Sequence, residues 1–213
     1  MQRSEKRLAG NARRSFLRQA ALAGTALLLP PAVSAVPIAE MTGEVTVNGR
    51  RAMRETLIKA GDTVKTGANA MVSFVIGADA FMLRAMSEVV IENKTGVLLI
   101  SGLRVITGAM LAVFGPGMRN VMTGLVTAAI RGTGIYVEVL PEKTYFCTCY
   151  GHVGLTAKDG AQQDIVATNH RAHFVHAAAL AGNVFAPAPL MNHENRELAT
   201  LEKLAGRAPR LTL

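Results

Sequence analysis

The sequence predicts a mainly β fold, a β-sandwich or rolled antiparallel sheet with one short C-terminal α-helix. Three observations predict it. Short apolar or alternating runs recur from Gly43 to about His176, turn residues separate them at regular spacing, and no helical period intervenes before residue 193. Strands that follow one another without crossover helices argue against βαβ units.

The expected strands, in order, are Glu44–Val47, Glu55–Ile58, Met71–Ile76, Val89–Glu92, Val97–Ile100, Met110–Phe114, Ile135–Leu140, Thr144–Cys149, Val153–Thr156 and Asp164–Thr168. Between them lie Asn48-Gly49, Ala60-Gly61-Asp62, Gly77-Ala78-Asp79, Asn93-Lys94-Thr95-Gly96, Gly115-Pro116-Gly117 and Lys158-Asp159-Gly160. Asn-Gly and Asp-Gly supply the positive φ that tight hairpins need. Residues 177–191, Ala-rich and then Pro187-Ala188-Pro189, read as a linker over the surface. Residues 192–213 read as a C-terminal helix and tail, with Leu198, Leu201 and Leu204 on one stripe, Asn192 as N-cap and Gly206 as the stop. So short a helix is marginal alone, and its leucines must dock on something.

The formal charge of +8 invites a nucleic-acid reading, but its distribution argues otherwise. Of the 23 basic and 15 acidic groups, six and one fall in residues 1–35, leaving 17 and 14 on residues 36–213. That remainder is ordinary for a globular domain, and no nucleic-acid partner is expected. Residues 1–35 have the three parts of an export signal: a basic region, an apolar run from Ala20 to Leu29, and small residues before a cleavage point after Ala35. Arg13-Arg14-Ser15-Phe16-Leu17-Arg18 matches the twin-arginine pattern, with Arg13, Arg14, Phe16 and Leu17 as the residues that carry it. The apolar run is too short for a membrane span, which needs roughly twenty residues. The expectation is a periplasmic protein, exported already folded by the twin-arginine machinery, with no stable span after cleavage.

Residues 36–176 form the expected β-domain, and several of its phrases resemble the FecR domain. Gly43-Glu44-Val45 with Asn48-Gly49 is similar to that family's opening hairpin. Ala60-Gly61-Asp62-Thr63-Val64-Lys65-Thr66-Gly67-Ala68 resembles its turn–strand–turn phrase, and Ile130-Arg131-Gly132-Thr133-Gly134-Ile135-Tyr136-Val137 its late Arg-Gly-Thr phrase. The residues that carry the match, Gly61, Asp62, Thr66, Gly67, Arg131, Gly132 and Thr133, read as structural. Gly61-Asp62 and Thr66-Gly67 are turn chemistry, and Gly132-Thr133-Gly134 a bend or close approach between strands. Full-length FecR regulators add a cytoplasmic anti-sigma segment, a membrane helix and a receptor-contacting region. Here a removable signal is expected in front of the domain instead. The resemblance therefore implies an extracytoplasmic β-domain that binds another envelope or periplasmic protein, as a scaffold or signalling module without catalysis.

One constellation could carry chemistry. Both cysteines of the chain fall in Tyr145-Phe146-Cys147-Thr148-Cys149-Tyr150-Gly151-His152, two apart in an expected strand, so both sulfurs leave on one face. Thr144, Phe146, Thr148 and Tyr150 share the other face, whose threonines suggest contact with water. Three readings stay open: two small buried hydrophobes, a metal site, or a disulfide strained by a Cα separation of about 6.5 Å. His170, His173, His176 and His193 follow downstream. With Cys147 and Cys149, the ligand set favoured for a copper or zinc ion is His152 and His170. The first reading needs no cofactor, and none is expected under it. No nucleophile elbow or catalytic triad pattern is present, so an enzyme is not expected.

Overall fold

A computed structural model describes residues 37–93, 100–180 and 182–211. The targeting residues Arg13, Arg14, Phe16, Leu17 and Ala35, and most of the run Val97–Ile100, lie outside them. The strands are β1 (Glu40–Thr42), β2 (Val45–Val47), β3 (Arg50–Arg51), β4 (Thr63–Thr66), β5 (Met71–Ile76), β6 (Asp79–Leu83) and β7 (Glu88–Asn93). They continue with β8 (Ile100–Val113), β9 (Met118–Met122), β10 (Val126–Leu140), β11 (Lys143–Ala157), β12 (Gln162–Ala167), β13 (Arg171–Leu180) and β14 (Asn183–Ala188), and end in α1 (Asn195–Leu204). The fold is mainly β, as the sequence predicts.

The strands form one hydrogen-bonded network in the order β14-β13-β11-β10-β9-β8-β7-β4-β2-β3, with β1, β5, β6 and β12 attached beside that path. All pairings are antiparallel except β8 with β9. Three long strands roll the sheet by changing partners midway. β8 pairs with β7 up to Thr107, with β10 from Gly108 and with β6 from Met110. β10 leaves β9 at Arg131 and joins β8 at Gly134. β11 pairs with β13 through Thr148 and with β12 from Gly151. The changeover in β8 falls at Gly108, φ +71°, and that in β11 at Gly151, φ +97°. Both are left-handed conformations that glycine alone takes without penalty, and a Cβ would collide with Ser87 at the first and Thr133 at the second. The two runs expected at Thr144–Cys149 and Val153–Thr156 are thus one strand, because Gly151 bends the chain without ending it.

Period-two alternation gives the central strands two buried faces. Phe74, Phe81, Met110, Ala112, Phe114, Ile135, Val137 and Phe146 point into a large aliphatic and aromatic core. Their neighbours Val75, Ala80, Met82, Leu111, Val113, Tyr136, Tyr145 and Cys147 point to the opposite face and form a second cluster with Leu198 and Leu201 of α1. Neither face of β11 at the cysteines is wet: Thr144 and Thr148 are buried with Phe146. Thr144 meets the Thr123 hydroxyl at 3.1 Å.

Three expectations change. Glu55–Ile58 is not a strand, because the Thr56 amide bonds back to the Met53 carbonyl and turns the chain, leaving an isolated bridge at Leu57. Residues 177–191, read as a linker, carry the end of β13 and all of β14, whose Pro187 sits in an edge strand where no donor is needed. In α1, Leu198 and Leu201 are buried as expected, but Leu204 is exposed and Glu202 is buried in its place. The buried carboxylate is satisfied by the Tyr150 hydroxyl, which donates to it, and by the Arg207 guanidinium. Among the described residues no helix is long and apolar enough to cross a membrane.

Candidate metal centre

The second buried face contains a compact group of four ligand-type side chains: Cys147, Cys149, His170 and His193. Their donor atoms all lie within 4.8 Å of one another. Three separate elements deliver them. β11 supplies both thiols, two residues apart on one side of the strand, as its pleat requires. His170 ends the turn between β12 and β13 at φ +30°, a sparsely populated conformation for a residue with a side chain. Its backbone amide donates to the Cys149 carbonyl at 2.9 Å, which brings the imidazole beside the strand. His193 lies just before α1, packed flat on the Tyr136 ring with centroids 4.5 Å apart.

The stretch around His193 is tied down on both sides. The Tyr145 hydroxyl donates to the Pro189 carbonyl at 2.9 Å and accepts the Met191 amide at 3.1 Å. Arg84 donates to the Asn192 carbonyl at 2.8 Å and pairs with Glu197 at 2.7 Å. Asn192 itself donates to Glu138, which also accepts the Tyr136 hydroxyl.

The distances inside the group have a defined pattern. Cys147 Sγ is 3.6 Å from His170 Nδ1, Cys149 Sγ is 3.5 Å from His193 Nε2, and the two nitrogens are 3.2 Å apart. Zinc bonds of about 2.3 Å to sulfur and about 2.0 Å to nitrogen, at tetrahedral angles, give S···N edges of about 3.5 Å and an N···N edge of about 3.3 Å. These three edges match such a tetrahedron, and the remaining three are no longer than 4.8 Å.

The outer ring nitrogens fix the protonation of the inner ones. His170 Nε2 faces the Asn195 amide oxygen at 2.6 Å, and His193 Nδ1 faces the Met191 carbonyl at 2.6 Å. An oxygen of either kind only accepts, so each outer nitrogen carries the proton and donates it. The inner nitrogens are left as lone pairs pointing at each other. A cation between them relieves that contact. A proton on His170 does so for one pair only, and the Cys147 contact raises the basicity of that imidazole. A metal ion engages all four donors. Each histidine thus has the outer hydrogen-bond partner characteristic of ligating imidazoles.

The thiols are unequal. A hydrogen bond from Cys149 holds the Cys147 thiol down, against the opposing effect of burial. Burial, then the bond it gives to Cys147, pushes Cys149 up. Ligation by both sulfurs requires both as thiolates, so any proton they hold leaves when a cation binds. Both thiols are free and buried, so the structure contains no Cys147–Cys149 disulfide.

Of the ligand set expected from sequence, Cys147, Cys149 and His170 come together and His152 does not. Its side chain is 62% exposed and faces Asp164 across the β11–β12 pair at 3.2 Å. The fourth corner is His193, 44 residues beyond Cys149, placed by the path of the C-terminal segment and by no local spacing. Tyr150 also changes sides. A register shift opposite Gly134 and Ile135 puts it with the cysteines, its ring packed so closely on Gly134 that a Cβ there would collide. His173 and His176 remain outside the group.

Of the phrases that carry the FecR resemblance, the late one reaches this centre through Tyr136, stacked on His193, and the residues that carry the match serve the backbone. Asp62 accepts from the Asn48 side chain at 2.8 Å and from the Lys59 amide at 2.9 Å, beside Gly61 at φ +98°. The Thr66 hydroxyl accepts the Ser87 amide at 2.9 Å, and the Gly67 amide donates to the Glu44 carbonyl at 2.8 Å. Gly132, φ +60°, marks the partner change in β10, between exposed Arg131 and buried Thr133.

No protein-family profile matches the chain, and no curated protein matches it. Among solved structures it is similar to a Parabacteroides distasonis protein provisionally described as an anti-sigma factor, seen in two crystal structures. Identity is 9%, the TM-score is 0.48, and the match covers 59% of this chain and 58% of that one. This chain thus spans a little over half the length of that neighbour.

Proposed function

We propose that this chain is a non-catalytic, extracytoplasmic β-domain that holds one zinc ion at Cys147, Cys149, His170 and His193. The observation that carries the reading is the pair of inward lone pairs on His170 and His193, 3.2 Å apart and flanked by two sulfurs. Two sulfurs and two nitrogens in a tetrahedral arrangement suit zinc. Four protein ligands leave no open position for water or substrate, which fits a structural ion and not a catalytic one. The twin-arginine pattern at Arg13-Arg14 supports export of a folded, metal-loaded domain, since the thiols would otherwise meet an oxidising compartment bare. The FecR-like phrases support a binding role toward another envelope protein.

Elemental analysis of the full chain, purified under reducing conditions, tests the metal reading. The expected result is about one zinc per chain in the parent and none in Cys149→Ser or His193→Ala. Sub-stoichiometric metal of every kind in the parent would overturn it, and stoichiometric copper would reassign the ion. Replacement of Arg13-Arg14 by Lys-Lys is expected to leave the precursor in the cytoplasm; undiminished export would sink the assignment to the periplasm.

A further inference from the structure

We infer that the ion is a latch for the C-terminal arm, residues 189–211, so that arm docking and zinc occupancy are one coupled equilibrium. The inference rests on the zinc reading above. Its basis is where the parts of the site come from. The arm contributes His193 directly. It also contributes both groups that orient the imidazoles: the Met191 carbonyl behind His193 and the Asn195 side chain behind His170. With the arm lifted, the site loses one of its four ligands and both fixed tautomers, leaving two thiols and one loosely held histidine.

The arm's remaining anchors are spread along its length. Leu198 and Leu201 bury their side chains, and Tyr145 holds residues 189–191 by two hydrogen bonds. The Arg84 guanidinium, about a quarter exposed, reaches both Glu197 carboxylate oxygens and the Asn192 carbonyl. The Glu202 carboxylate is buried and depends on Tyr150 and Arg207 to stay there, so its docking is largely compensation for its own desolvation. A ten-residue helix has small stability of its own. The ion joins arm to sheet through His193, and by thermodynamic reciprocity whatever lifts the arm weakens zinc to the same degree. Lifting it uncovers Met82, Leu111, Tyr136, Tyr145 and Tyr150 on the second face of the sheet.

Amide hydrogen exchange on the full chain, reduced and either zinc-loaded or treated with a chelator, reads the latch. Amides of α1 and residues 191–193 are expected to exchange at least about 10-fold faster without zinc, while those of β5 and β6 keep their protection. The reciprocal arm uses Leu198→Asp, which disturbs docking and touches no ligand; zinc affinity by chelator competition should fall at least about 10-fold. Should that variant fail to fold, Leu198→Ala reads the same coupling with a smaller loss. Unchanged α1 exchange after removal of a stoichiometric zinc overturns the latch and leaves the metal site standing. So does wild-type zinc affinity in a folded Leu198 variant. A parent that binds no zinc removes both readings, and its metal content tells that outcome apart from the other two.

Discussion

The two faces of the same central strands follow different chemistry. On one, Phe74, Phe81, Phe114 and Phe146 meet aliphatic neighbours, with Asp79 buried at the edge of that face and paired with Arg119. On the other, three tyrosines, two cysteines and the two leucines of α1 share the space with His193 and Glu202. The first face is held mainly by buried area, which is non-directional and tolerant of exchange among similar side chains. The second is held by directional contacts, each of which needs its partner: Tyr145 with Pro189 and Met191, Tyr150 with Glu202, His170 with Asn195. A face of that kind can be opened by removing one component.

The largest expected effect breaks the aliphatic side. Phe81→Ala removes a fully buried ring packed 5.2 Å from Phe74 and 5.7 Å from Phe114. It should cost about 3–5 kcal/mol in urea unfolding. If the faces are separable, the folded fraction still binds one zinc with unchanged affinity. A parallel loss of zinc would show that the two layers act as one.

Zinc removal strikes the other side alone. At free zinc about 100 times the dissociation constant, the ion should add about 2.7 kcal/mol to the parent's stability, and chelation should withdraw it. Cys147→Ser should make the urea midpoint indifferent to zinc. A midpoint that still rises with zinc in that variant would place the ion elsewhere.

Asn195→Ala is a finer cut. It leaves all four ligands in place and removes the oxygen that holds His170 Nε2–H. Loss of such an outer partner typically weakens a metal site about 10-fold or more, or about 1.4 kcal/mol. Stoichiometry stays at one while affinity falls. An unchanged affinity would mean that the φ +30° backbone and the Cys149 carbonyl alone orient the imidazole.

The difference between the faces also explains what could be read in the sequence. The aliphatic face follows from alternation inside single strands, as in Met71–Ile76, whose limits match β5. The turns follow from Asn48-Gly49 and Gly61-Asp62. Bends such as Gly151 look like strand ends in a linear pattern, so one strand was counted as two. The second face depends on contacts 44 to 52 residues apart, such as Cys149 with His193 and Tyr150 with Glu202, which leave no local period. Cys-x-Cys announced half of the site and His170 a third corner. The fourth was masked because His193 sits on an arm whose docking stripe, Leu198 and Leu201, says that it packs but not where.

The smallest expected effect is the sharpest test of that geometry. His152 is three residues from Cys149, and sequence proximity makes it the natural choice for a ligand. The strand makes it a poor one. Gly151 bends β11 between the two, and the His152 ring turns outward to Asp164, with side chains 62% and 80% exposed. An exposed pair of this kind contributes little to stability. His152→Ala should therefore leave zinc stoichiometry and affinity unchanged and shift unfolding by no more than about 0.5 kcal/mol. Loss of zinc in this variant, with His193→Ala retaining it, would mean that the ion is held on the β12 side of the bend. The arm would then be a passive cover, and the contrast between the two faces would reduce to one of composition.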